Sequence, residues 1–265
     1  MTGRILSVVG GMFLLTVCSK GAAPAREPSA APAAPAAPAA PVPASSFDAS
    51  AAGGTITGKV RFTGMAPRNP PIDMSEEAAC KAKYTTTPTE ENVVAGPANA
   101  LANVFVYVSA GVPAGQTFTA PATAVVLDQS GCRYHPHVFG AMVGQNIEIK
   151  NSDPLLHNIK AMAKKNRPFN VSQPNAGMTK TVTFTAPEVM VNLECNVHGW
   201  MHAYLGVRPD PFFAVTGPDG SFSIKGLPPG TYTIEAWHEK FGTQTATVTI
   251  AGSESKTANF TFAAH

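Results

Sequence analysis

Between Glu194 and Met201 the chain reads ECNVHGWM, which places the thiol of Cys195, the imidazole of His198 and the thioether of Met201 within seven residues. Soft sulfur ligands together with imidazole suit copper, and two His, one Cys and a distant axial Met make the blue-copper electron-transfer arrangement. A tight loop with this spacing turns all three side chains toward one point. It lacks a second imidazole, which must arrive from elsewhere in a sheet. The upstream run NSDPLLHN supplies a candidate in His157, followed by Asn158. Each residue also has an ordinary structural reading: a buried thiol, a turn histidine, a core methionine. A binuclear copper centre would need a second Cys in the loop. A multicopper oxidase would need further His-x-His pairs, and His135-Pro136-His137 stands alone.

The strings VGQNIEIKNSDPLLHNIKA and APEVMVNLECNVHGWMHAYLGV resemble the two ligand-bearing segments of a cupredoxin, the plastocyanin, amicyanin and pseudoazurin family. In both, an Asp precedes a His-Asn pair after a strand, and a C-x2-H-x2-M loop follows later. The resemblance spans residues 121 to 208. It implies a Greek-key β-sandwich and one type 1 copper held by His157, Cys195, His198 and Met201. It further implies that Asn158 ties the two ligand loops together. His198 would then sit at the surface as the route for electrons, with Gly199, Trp200 and His202 in an apolar docking patch; a packed core aromatic is the other reading of Trp200.

Cysteine usage fits an exported protein. Met1 to Arg4, the apolar run Ile5 to Val17 and then Cys18 form a positive start and a hydrophobic stretch too short to span a bilayer, as in a secretory signal. Leu15-Thr16-Val17-Cys18 resembles a lipobox, which implies lipidation of Cys18, although Val17 stands where a small residue is usual. Simple cleavage near Ser19 or Ala23 is the alternative. Residues 19–53 are rich in Ala, Pro, Ser and Gly and read as a disordered spacer, on the order of 100 Å long if polyproline-like. With Cys18 as anchor and Cys195 on copper, Cys80 and Cys132 remain for a disulfide, which an exported chain permits. The rival is a second metal site of Cys132, His135 and His137.

The rest reads as β throughout. Alternating runs at 55–62, 104–108, 124–127, 147–150, 179–184, 189–193, 222–224, 231–236 and 245–250 are punctuated by many of the 23 Gly and 24 Pro, which favours sandwiches over helices. One helical stretch is expected, over 74–83, opened by Asp73 or Ser75. The run TGPDGSFSIKGLPPGTYTIEA resembles the carboxypeptidase regulatory-like domain, a transthyretin-like sandwich grouped with carbohydrate-binding-like folds. The first strands of that family have counterparts far upstream, GTITGKV at 54–60 and Leu101 to Val108. We therefore expect a signal segment 1–18, a linker 19–53, a split sandwich of 54–120 and 211–262, and a cupredoxin of 121–210 between its halves, with tandem order as the alternative.

Nineteen Lys and Arg against seventeen Asp and Glu, at 14% charged residues, exclude a nucleic-acid binder of the basic kind. Lys164, Lys165 and Arg167 read as a solvated loop, or as a small patch for an acidic partner. No nucleophile elbow or phosphate loop is present. His238-Glu239 reads as a surface pair, with an accessory site near the copper as the alternative. The expected role is non-enzymatic electron transfer in a bacterial envelope, periplasm or outer membrane. The expected partner is a c-type cytochrome or another envelope oxidoreductase, and membrane contact comes only through the lipid anchor. Copper capture or delivery, and a carbohydrate- or surface-binding module, are the alternatives.

Overall fold

Strand β1 (Gly54–Thr63) sets the pattern for the whole chain. Its alternation buries Ile56, Val60 and Phe62 on one face; position 58 shares that face and is a glycine because a Cβ there would stand 1.7 Å from the Ala258 carbonyl oxygen. After it come a single helical turn, α1 (Ala78–Lys81), and β2 (Phe105–Ala110). Nine strands follow: β3 (Val125–Ser130), β4 (Arg133–His135), β5 (Val138–Met142), β6 (Ile147–Asn151), β7 (His157–Ala161), β8 (Phe169–Gln173), β9 (Thr179–Val182), β10 (Glu188–Glu194) and β11 (His202–Arg208). The chain closes with β12 (Phe213–Val215), β13 (Ser221–Leu227), β14 (Gly230–His238), β15 (Gly242–Ile250), β16 (Ser255–Thr257) and β17 (Phe260–Ala263). This computed structural model describes residues 53–263. The expected signal segment 1–18, Cys18 and residues 19–52 of the expected linker lie outside the described residues.

The strands form all-β sandwiches from four sheets. One pair of sheets uses the two ends of the described chain: β1 pairs with β13, β16 and β17, and β2 sits between β12 and β14, with β15 beyond. Their shared core includes Ile56, Val60 and Phe62 from one sheet and Val106, Val108, Ile234 and Val248 from the other. The second pair uses only β3 to β11, in the orders β5-β11-β10-β7-β8 and β4-β3-β6-β9. Leu127, Ile147 and Ile149 pack there against Ile159, Leu193 and Leu205. A third cluster of Phe105, Tyr107 and Val138, flanked by Tyr204, Phe213 and Trp237, joins the two sandwiches.

The helix expected over 74–83 shrinks to Ala78–Lys81. Asp73 spends its carboxylate on the Ser75 amide at 2.9 Å, and the Glu77 amide turns back to Met74 instead of opening a longer helix. A carboxylate within the chain orders the backbone of residues 164–166. Glu188 accepts hydrogen bonds from the backbone amides of Lys164, Lys165 and Asn166 and from the Asn166 side chain. Burial works against the ionised form of Glu188, but these donors outweigh it and hold the carboxyl below its usual value of 4.5. A carboxyl depressed in the fold stabilises it above that usual value, and the contribution fades as pH falls through the lowered one. We expect Glu188→Gln to cost about 1–3 kcal/mol at neutral pH and to flatten the loss of stability on acidification below the usual value. Thermal unfolding of both proteins across that pH range checks this; parallel curves would refute it.

Candidate metal centre

The register of β7 against β10 creates the centre. The two run antiparallel, with Leu193 opposite Ala161 and Glu194 opposite Lys160. His157, the first residue of β7, and Cys195, just past the end of β10, therefore meet at one end of the sheet. The loop from Cys195 to Met201 is closed by two backbone hydrogen bonds, Cys195 N–H to the Met201 carbonyl (3.0 Å) and Met201 N–H to the His198 carbonyl (2.9 Å). This folds His198 back over Cys195. The His157 and His198 Nδ1 atoms face each other at 3.0 Å, and Cys195 Sγ lies 3.8 Å from His198 Nδ1. His157, Cys195 and His198 are buried, and their ligand atoms all lie within 4.8 Å of one another. Met201 is 1% exposed and belongs to the same apolar cluster as Cys195.

The outer contacts orient these atoms inward. Asp153 is ionised and can only accept, so His157 Nε2–H donates to its Oδ2 at 3.0 Å, leaving the Nδ1 lone pair directed at Cys195 and His198. Metal-ligating histidines are held in this way. Asp153 also takes the Cys132 and Gly131 amides and the Lys83 ammonium (2.8 Å). Burial opposes its charge, but these partners and His157 hold its carboxyl at about 2. Asn158 bridges the two ligand segments: its Oδ1 accepts from the Asn196 amide (2.7 Å) and the Cys195 thiol (3.3 Å), and its Nδ2 donates to Asn170. Burial raises the Cys195 thiol, yet His198 and backbone donors from Asn158, His198 and Val197 together bring it below the ordinary thiol range, which favours the thiolate a metal needs. Metal–imidazole bonds near 2 Å place two ligand nitrogens about 3 Å apart. Two facing Nδ1 atoms, one activated thiol and a buried thioether nearby are a donor set that fits copper.

The structure departs from the expected surface position of His198. That residue is 2% exposed, because the segment carrying α1 covers it. Cys80 Sγ lies 3.6 Å and Glu77 Oε2 3.9 Å from His198 Nε2. The Trp200 ring packs on the imidazole at 5.2 Å and donates its Nε1–H to the Cys132 carbonyl. Cys80 is bonded to Cys132, with S–S 2.01 Å, which removes Cys132 from the rival metal site. His135 is exposed, and His137 is turned toward Glu239. Nor are His238 and Glu239 a surface pair. His238 is buried and stacked on Phe241, and the Glu239 side chain is 4% exposed. His202 turns toward Glu239 and lines an open cleft together with Gly199. The covering segment and the role of Asp153 escaped the sequence reading. The one local signal was the four-residue step from Asp153 to His157.

Residues 208–263 match the carboxypeptidase regulatory-like domain. No curated protein matches the chain. Among solved structures, the Cu-containing nitrite reductase from Thermus scotoductus SA-01 is 18% identical over 57% of this chain, with a TM-score of 0.32, and only 28% of its own length is covered. A purple cupredoxin from Nitrosopumilus maritimus is 19% identical over 31% of this chain and 98% of its own, with a TM-score of 0.28. An oxidized amicyanin variant is 18% identical over 39% and 98%, with a TM-score of 0.30.

The disulfide pins the cover to the sandwich across a sequence separation of 52 residues. Replacing Cys80 and Cys132 together by Ser is expected to lower stability by about 4 kcal/mol in the chain-entropy description and to speed chemical modification of His198 by an imidazole-directed reagent. Denaturant unfolding and mass-spectrometric mapping check both. Unchanged modification of His198 in the double variant would show that the cover does not depend on the disulfide.

Proposed function

We propose that the chain is a type 1 copper electron-transfer protein of the bacterial envelope, with one copper held by His157, Cys195, His198 and Met201. The observation that carries this reading is the convergence of the two Nδ1 atoms and the Cys195 sulfur at one end of the β7–β10 pair. Copper bound there supplies a one-electron Cu(I)/Cu(II) couple. The chain's part is to fix the ligands before binding. Asp153 holds the His157 tautomer, Asn158 locks the Cys195 segment to the His157 segment, and the α1 segment with Trp200 keeps water from His198. A geometry fixed in this way suits both oxidation states, and the shielding of the sulfur tunes the potential.

In this proposal the copper-carrying sandwich, 121–210, is an insertion within a second sandwich of 54–120 and 211–262. The pairing of β1 with β13, β16 and β17 across the intervening strands supports the nested order. With copper bound, the side open to an electron donor or acceptor would be the cleft lined by Cys195 and Gly199, because His198 is covered. The partner is a c-type cytochrome or other envelope oxidoreductase. The apolar run Ile5 to Val17 followed by Cys18 supports export and a lipid anchor.

The test is to load the full chain with Cu(II) and record visible and paramagnetic resonance spectra. We expect an intense thiolate-to-copper band that disappears in Cys195→Ala. A colourless protein that binds Cu(I) tightly would favour copper capture or delivery. No copper uptake would leave a carbohydrate- or surface-binding module as the reading.

A further inference from the structure

We propose that His137, His202 and Glu239 form a second metal site, separate from the Cys195 centre, which takes one divalent first-row cation such as zinc(II) or copper(II). The three residues come from three segments. His137 immediately precedes β5, His202 opens β11, and Glu239 follows β14. Strands β5 and β11 lie side by side, with Tyr204 opposite Val138, which brings the two imidazoles to the same end of the sheet. β14 belongs to the other sandwich and delivers the carboxylate across the seam. One ligand atom from each residue lies within 4.8 Å of the other two.

The hydrogen bonds define which atoms are free to bind. His202 Nδ1 lies 3.1 Å from the Trp200 carbonyl oxygen, which can only accept. Nδ1 therefore carries a proton, and in the neutral ring Nε2 presents its lone pair toward Glu239 Oε2, 3.9 Å away. That gap is too long for a hydrogen bond. Two ligands bound to one ion at 2.0–2.2 Å stand about 3–4 Å apart. Anchoring of the remote ring nitrogen by a backbone carbonyl is also what a ligating histidine uses. The other carboxylate oxygen, Oε1, meets His137 Nε2 at 2.5 Å, and the Tyr204 hydroxyl donates to Oε2 at 3.4 Å. Among the described residues, these two imidazoles are the only basic groups within 4 Å of the buried Glu239 carboxylate. A buried carboxylate needs a compensating positive charge.

Two imidazoles and one carboxylate are a donor set that binds zinc with one coordination position left open, and copper(II) binds such nitrogen and oxygen sites more tightly. Two of the three residues, His202 and Glu239, also line a cleft of about 530 Å³ together with Glu90 and Glu194. Water from that cleft can complete the coordination. The site uses none of the four residues assigned to the first centre, so it stands or falls independently of the copper reading.

The competing description is a protonated His137 paired with Glu239, with His202 a bystander. Equilibrium dialysis of the full chain against zinc(II), followed by metal analysis, separates the two. We expect Glu239→Gln and His202→Gln each to bind one zinc equivalent fewer than the wild type, or to bind it with an affinity reduced by more than the roughly 10–100-fold that loss of an outer partner costs. Cobalt(II) spectra then identify the site lost. Cys195→Ser should keep the ligand-field intensity that Glu239→Gln loses, and any thiolate charge-transfer band should depend on Cys195 and not on Glu239. Equal zinc binding by wild type and both variants would overturn the proposal. Should the variants fail to fold, anomalous scattering at the zinc edge from zinc-soaked wild-type crystals decides it. Density between His137, His202 and Glu239 is expected, and its absence would overturn the site.

Discussion

The carboxylate of Asp153 ties three parts of the chain together at one point. It orients the ring of His157, takes the amides of Gly131 and Cys132 at the turn between β3 and β4, and pairs with Lys83 just past α1. One anion thus fixes a ligand tautomer, one end of the disulfide and the segment that covers His198. Removing such an anion leaves several donors unsatisfied at once, and buried donors without partners carry a large penalty. The low value at which this carboxyl titrates follows from the same partners. The end of the sandwich that carries His157, Cys195 and His198 and its cover are therefore a single unit held from the middle.

The fold and the ligand set were legible to different depths. Strands with one buried face were readable because alternation is a local property: β1, β14 and β15 show it over nine or ten residues. Strand β7 carries His157 and was not readable, because four of its five residues are buried and no alternation survives. The C-x2-H-x2-M loop was visible because its closure needs only seven residues and two backbone hydrogen bonds. The cover over His198 depends on Cys80 reaching Cys132 and on Lys83 reaching Asp153. Such contacts leave no spacing pattern. The grouping of His137, His202 and Glu239 is equally non-local, since it requires the seam between two sandwiches to exist first.

That seam has its own cause. Gly140 on β5 and Gly206 on β11 leave bare backbone facing the other sandwich, and a Cβ on Gly206 would stand 2.3 Å from the Phe105 ring. The rings of Phe105 and Phe213 occupy this space, 5.6 Å apart, while Trp237 packs on Tyr204 at 5.1 Å. Close packing of this kind tolerates little displacement. It sets the position of the end of β14 relative to β11, and hence of Glu239 relative to His202. Small residues in one sandwich and aromatic residues in the other thereby determine a polar geometry that neither sandwich contains alone.

Burial of His198 also alters what the first centre can do in the copper reading. A ligand imidazole at the surface couples a metal directly to a docking partner, whereas here Glu77, Cys80 and Trp200 stand over its outer nitrogen and ring. Close approach remains on the Cys195 and Gly199 side, where the same cleft reaches His202 and Glu239. His202 opens β11 directly after Met201, so the two proposed sites adjoin in the chain at that point. A partner in that cleft would meet the sulfur side of one centre and the open side of the other. In the copper reading the cover over His198 would act as a selector, closing one face of the sandwich and leaving the cleft at the seam as the side of approach.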